Sequence, residues 1–188
     1  MRMPLLLPAN LTFEQQVLYG SMRAGIARGL SAFKVIRDDG ALEGPWNAYL
    51  QEPTIGKAAW ELTEAINQIA ILPKTVREIA ILLVGARYNC AFAIYAHVAV
   101  SESLGMPLEH LATICAGLKP ANLGADDNLA YDIAHSLCAR ATLPEPLYRL
   151  GVTRFGQRGI NEMIYLVGLY SMVAITLNAF NIPVPERE

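Results

Sequence analysis

The chain has 188 residues, 53% of them hydrophobic and 17% charged, with a formal net charge of −2. That length suits one domain with a sizeable core, the apolar fraction excludes an intrinsically disordered chain, and the charge offers no basic footprint for nucleic acid. A mean hydropathy of +0.29 is more apolar than a small monomer hides, which points to a homo-oligomer.

From the N-terminus, Met1 to Pro8 is too short an apolar run for a signal peptide and has no small-residue cleavage site. Thr12 is a candidate N-cap, and good helix formers run from it to about Gly29. Ser31 to Pro53 is the least regular stretch, with Asp38, Asp39, Gly40, Gly44, Pro45 and Pro53 reading as turns. It carries Phe33, Lys34, Arg37, Trp46 and Tyr49, a supply of apolar wall and positive charge in the kind of long loop that is often functional. Thr54 to Ile69 sets Ile55, Ala59, Leu62, Ile66 and Ile69 on one helical stripe, which Pro73 terminates.

Thr75 to Ala86 predicts a helix with the apolar body IAILLVGA. Tyr88 and Asn89 break it, Asn89 reads as the N-cap of the next helix, Cys90 to Leu104, and Gly105 ends that one. Pro107 opens a short helix with Leu108, Leu111, Ala112 and Cys115 inward. Ala125 to Ala141 begins with Asp126 and Asp127, where the helix dipole favours acids, and stacks Leu129, Ile133 and Leu137. Pro144 to Phe155 and the apolar Gln157 to Phe180 complete the helices, followed by the tail IPVPERE. Met163 to Leu177 falls short of the roughly 18 apolar residues of a membrane span, and Ser171 interrupts it, so a buried or interface helix is expected and no membrane. The expected fold is all-α, one domain of about six to eight helices, with residues 1–42 an N-terminal helix and irregular loop and 43–188 the helical core. Cys90, Cys115 and Cys138 are odd in number and scattered, which suits a reducing, cytoplasmic setting.

The chemistry concentrates in Arg77 to Gly105. Glu78 lies near the start of one helix and Cys90 at the start of the next, with His97 seven residues further on its face. A cysteine in a first helical turn meets the positive end of the dipole, which favours thiolate. His97 suits a proton shuttle, with an unperturbed pKa of about 6.5, and Glu78 suits orienting it. The same residues also read as structure: His97 hydrogen-bonded in the core, Cys90 a small apolar filler, Glu78 the partner of a nearby Arg. Arg77, Arg87 and Lys34 are candidates for a substrate carboxylate, arginine having the better geometry. His97, His110 and His135 lack paired metal-ligand spacing, so no metal is expected. No Gly-rich phosphate loop appears, and Gly25 to Gly29 lacks the strand of a dinucleotide fingerprint, so no cofactor is expected.

This segment resembles the central motif of the carboxymuconolactone decarboxylase / alkylhydroperoxidase D-like superfamily: a Glu, a Cys twelve residues later, a second Cys in Cys-x-x-Cys, and a His four residues after that. Glu78, Cys90 and His97 match, and Ala93 stands at the second Cys. Gly44-Pro45-Trp46-Asn47 and the ending YLVGLYSMVAITLNAFNIPVPE resemble the carboxymuconolactone decarboxylase-like branch, so the likeness runs from about Glu43 to Glu186. Many members of that branch carry an acid at the Ala93 position, before a Tyr and a His; Tyr95 and His97 are kept here and the acid is not.

The resemblance implies a cofactor-free decarboxylase, or a related lyase or isomerase, acting on a small cyclic or aromatic-derived carboxylic acid or lactone. It implies a trimer or hexamer. In that expectation His97, Glu78 and Cys90 form the catalytic set, Arg77 or Arg87 fixes the acid, and Trp46, Phe92 and Tyr95 wall out water. Two alternatives stand beside it. One is a thiol peroxidase using Cys90 alone, which would need a resolving thiol from elsewhere because Ala93 forbids the local disulfide. The other is a non-catalytic, ligand-binding oligomer.

Overall fold

A computed structural model describes residues 1–29, 32–139 and 142–185. The expected endpoints Ser31 and Ala141 and the last three residues of the tail lie outside the described residues. Among the described residues the chain forms eight α-helices and no strand, as expected: α1 (Phe13–Gly29), α2 (Pro45–Gln51), α3 (Pro53–Ile69), α4 (Lys74–Arg87), α5 (Ala91–Ser103), α6 (Leu108–Cys115), α7 (Ala125–Ala139) and α8 (Glu145–Ala179). One antiparallel bridge, Ile36 to Leu42, folds the segment before α2 back on itself.

Local chemistry accounts for the helix starts. Thr12 and Gln15 cap α1 reciprocally: the Thr12 N–H donates to Gln15 Oε1 at 2.9 Å and the Gln15 N–H to Thr12 Oγ1 at 3.4 Å. Pro45 and Pro53, expected as turns, are instead the first residues of α2 and α3. A proline preset near the helical φ and lacking an N–H fits a first helical position at no cost. Gly44 precedes Pro45 at φ 66, and a Cβ there would lie 2.6 Å from the Phe92 ring, so the Gly-Pro pair turns the chain against α5. Asn47 of the same segment is buried; its Oδ1 accepts from the Leu6 N–H at 3.0 Å and its Nδ2 donates to the Pro4 carbonyl at 3.1 Å. The Gly-Pro-Trp-Asn sequence therefore includes the latch of the N-terminal arm.

The α3 stripe is rotated from its expected position. Gly56, Ala59, Trp60 and Ile66 turn inward, while Ile55, Leu62 and Ile69 stay exposed. Gly56 sets this rotation, because a Cβ there would sit 2.1 Å from the Tyr49 carbonyl oxygen: α2 and α3 touch backbone to backbone on that side. The N-cap of α5 is Cys90, one residue later than expected. Asn89 adopts φ 48 to turn the α4–α5 corner, a conformation asparagine tolerates better than most residues. Asn178 of α8 holds that corner, donating to the Tyr88 carbonyl at 2.7 Å. In α6 only Leu111 and Ile114 are fully inward; Leu108 and Ala112 are exposed and Cys115 is half-buried, since two turns present a single stripe to α4.

Helix α4 is the central element, buried from Glu78 to Gly85 and packed by α5, α6, α7 and α8. Its continuous apolar run is what a helix surrounded on all sides requires. Gly156, at φ 72, breaks α8 into the two segments read from the sequence. By length and composition α8 is apolar enough to cross a membrane, but half of its most apolar window is buried inside the protein, where the helix packs on α4 and α7. The core forms two clusters, one around α4 to α8 and one joining α1, α2 and α3, with Phe33 packed against both.

Candidate active site

A cavity of about 710 Å3 lies where the two clusters meet. Such a volume falls within the range of about 300–1,000 Å3 typical of small-molecule sites. Helix α4 contributes Glu78 to its wall and α5 contributes His97, along with Ala93, Ala96 and Val100 on the same helical face. His97 Nδ1 and Glu78 Oε2 are 2.8 Å apart, and both side chains are largely buried. If the carboxylate accepts the Nδ1 proton, the Nε2 atom is left to take or give one. The Tyr170 ring of α8 meets the imidazole edge to face, centroids 4.9 Å apart. Phe33, Trp46, Trp60 and Phe92 supply apolar wall, and Arg28, Glu64 and Lys74 bring charge.

The sequence-predicted residues divide into two groups. Glu78, His97, Arg77, Trp46 and Phe92 line the cavity; Cys90, Arg87 and Tyr95 do not. Arg87 is exposed as the last residue of α4, donating through Nε to the Cys138 carbonyl at 3.4 Å. Tyr95 lies on the flank of α5, edge-on to Phe33 and Phe92 behind the wall. Arg77 reaches the cavity but its guanidinium is committed elsewhere: Nη1 donates to Glu162 Oε1 at 2.5 Å and to the Ile66 carbonyl at 3.3 Å, and Nη2 to Asn67 Oδ1 at 2.7 Å. It is the structural ion pair that its residue type also allowed, with Glu162 rather than Glu78 as partner.

Glu162 is the residue that sequence reasoning missed. Its side chain is fully buried, and its Oε2 accepts from the Ile71 N–H at 2.7 Å and the Leu72 N–H at 3.0 Å. It thus ties the α3–α4 turn, which borders the cavity, to α8. The available signal was an acid between Ile160 and Met163 in an apolar helix, since a buried charge demands a partner. Tyr170 belongs to the site as well: its place in an apolar helix allows packing or a reach into a pocket, and it lines the cavity.

Cys90 departs from the reactive-thiol expectation. It is 1% exposed, and burial pushes its thiol pKa up, outweighing the backbone N–H groups of Ala93 and Phe92 that favour thiolate. As the N-cap, at φ −90 and ψ 95, it lies outside the helical phase that carries Ala93 and His97 to the cavity. The purified protein is therefore expected to show no dithiol-dependent turnover of an organic peroxide. In native-state labelling followed by mass spectrometry Cys90 should react with a thiol probe far more slowly than free cysteine. Fast labelling at Cys90 would contradict this placement.

An all-helical fold enclosing a pocket with a paired histidine and carboxylate is thus defined. Two solved structures share its architecture. An alkylhydroperoxidase AhpD core, an uncharacterized peroxidase-related protein from Ralstonia eutropha JMP134, superposes with a TM-score of 0.79 at 14% identity, over 98% of this chain and 92% of that one. A protein of unknown function from Agrobacterium tumefaciens, described with the name AhpD, superposes with a TM-score of 0.66 at 15% identity, over 75% of this chain and 97% of that one. The chain has the AhpD-like helical fold. No family model and no curated protein matches it in sequence.

Proposed function

We propose that this protein is a cofactor-free, carboxymuconolactone decarboxylase-like enzyme that decarboxylates, or performs a related lyase or isomerase step on, a small cyclic or aromatic-derived carboxylic acid or lactone. The observation that carries this reading is the 2.8 Å His97–Glu78 pair on the wall of a small-molecule-sized cavity. A carboxylate-oriented imidazole is suited to general acid–base catalysis, and the aromatic wall limits water. With Arg77 held by Glu162, Lys74, which makes no ion pair among the described residues, is the better-placed cation for a substrate acid. A panel of lactones and keto acids tests the reading by release of carbon dioxide or loss of the lactone carbonyl; turnover of at least one member is expected. Binding without turnover across the panel would leave a ligand-binding protein instead.

A second reading, a thiol peroxidase acting through Cys90, draws on the peroxidase-related description of the Ralstonia neighbour. The buried thiol and Ala93 speak against it.

The proposal includes a homo-oligomer, a trimer or hexamer in the cytoplasm. Ile164, Tyr165, Met172 and Ile175 of α8 lie exposed, as do Ile55, Leu62 and Ile69 of α3. Apolar side chains left outward on two helices are the surface an assembly covers. Light scattering at micromolar concentration should return a multiple of the 20.5 kDa chain mass. A monomer would refute the assembly.

A further inference from the structure

We propose that the hydroxyl groups of Tyr49 and Tyr170 are the oxyanion donors of this cavity, catalytic residues that hold the oxygen on which charge develops while His97 moves the proton. The inference rests on the acid–base reading of the site and adds the electrostatic half of the reaction.

Both tyrosines line the cavity that holds His97 and Glu78. Tyr49, on α2, is 7% exposed, and Tyr170, on α8, packs its ring edge to face against His97. A buried tyrosine hydroxyl ordinarily finds a partner. Among the described residues neither of these makes a hydrogen bond within the protein, whereas Tyr19 and Tyr148 do. Nor are they sealed off, since the buried side-chain atoms cut off from any partner are Ser101 Oγ and Ser136 Oγ. Two unpaired O–H donors thus border one cavity from α2 and α8, helices that pack against each other, and Tyr170 lies against the imidazole. The hydroxyls of Tyr88, Tyr95, Tyr131 and Tyr165 likewise make no hydrogen bond among the described residues, but none of these four lines the cavity; Tyr165 lies on the outer face of α8.

Their ionisation suits donation. Burial pushes the Tyr49 phenol up to about 12. Burial, followed by the charge of Glu78, pushes Tyr170 upward as well. Both groups therefore remain protonated at neutral pH, neutral donors on a mostly apolar wall, where a fixed hydrogen bond to developing charge is worth more than in water. No cationic side chain is needed for that task, in keeping with the engagement of Arg77 by Glu162.

A decarboxylation here passes through an enolate. The bond between the carboxylate and its carbon breaks, carbon dioxide leaves, and the electron pair passes into the conjugated carbonyl, whose oxygen becomes the enolate oxyanion. Tyr49 and Tyr170 donate hydrogen bonds to that oxygen. The carbon then takes a proton from protonated His97, the enolate collapses to the carbonyl, and His97 regains a proton from solvent. The net change is one carboxylate and one proton converted to carbon dioxide and a C–H bond. An isomerase step uses the same donors, with His97 taking a proton from one carbon and returning it to another.

The experiment uses 4-nitrophenolate, a delocalised oxyanion whose absorbance reports its environment, titrated into the full-length protein. Phenylalanine variants keep the rings and remove only the hydroxyls; thermal melting verifies their folding. The wild type is expected to bind the probe, and Y49F and Y170F each to weaken binding by at least about 10-fold, the loss expected for one hydrogen bond to a charged acceptor. Y165F should bind as the wild type does. Absence of binding by the wild type, or equal affinity in Y49F, Y170F and wild type, overturns the donor assignment. Turnover of a panel acid by H97Q separates the two readings. If H97Q is inactive while both phenylalanine variants keep full activity and affinity, the donors fall and the acid–base site stands. If H97Q turns over normally while Y49F and Y170F lose the probe, the oxyanion site stands and the role of His97 falls.

Discussion

The H97A variant should lose turnover of any substrate found in the lactone and keto-acid panel by a factor of about 10²–10⁴, the usual worth of a positioned acid–base group. Its fold should survive, because the imidazole borders a cavity and the surrounding α5 face, Ala93 and Ala96, is unchanged. Some stability will go, since Glu78 then loses its partner at a site where its side chain is only 10% exposed. The E78Q variant separates the two effects: it keeps the shape and an oxygen acceptor but removes the charge that stabilises an imidazolium. C90S should be mild by comparison. Cys90 stands at an N-cap, a position serine prefers, and away from the cavity lining. Parallel measurement of turnover and circular-dichroism melting decides the matter. A C90S variant as inactive as H97A would move the chemistry to the thiol.

The largest stability effect is expected from E162A. The Glu162 carboxylate serves three donors: the Ile71 and Leu72 N–H groups and the Arg77 guanidinium. Its removal leaves a largely buried arginine without its counter-charge and two backbone donors without an acceptor. Breaking a buried pair from one side costs about 3–5 kcal/mol. At about 2–4 °C per kcal/mol for a chain of this size, the melting temperature should fall by roughly 10 °C. E162Q, which still offers an oxygen to the backbone, should fall less. Turnover should drop with E162A too, because Ala70 and Leu72 of the tethered turn line the cavity. An E162A protein melting within about 2 °C of the wild type would show that the tether bears no weight.

The all-helical architecture was legible in the linear chain. Gly105 and Gly156 punctuate it where helices stop or break, Pro73 stands where α4 begins, and the uninterrupted IAILLVGA run announced a helix enclosed on every side. Periodicity alone also placed His97 on a helix following that of Glu78, and the resemblance on those residues agrees with the fold shared with the AhpD-like neighbours. Such features are local: they depend on residues within a turn or two of one another, and a 3.6-residue repeat conveys them.

What local pattern left open was which side of each helix meets which neighbour. Cys90 has the spacing to share a face with His97, yet as an N-cap it leaves the helical path and turns into the core. Arg77 and Arg87 look alike in the chain, ten residues apart. One is drawn into a buried pair with Glu162, 85 positions away, and the other is left at the surface. Tyr49 and Tyr170 are far apart in the chain, and only the packing of α2 against α8 brings both to one cavity. Pairings of this kind depend on interhelical packing, where one small residue such as Gly56 sets the rotation of a whole helix. No periodicity within a single segment records that rotation, and the chemistry of the cavity follows from it.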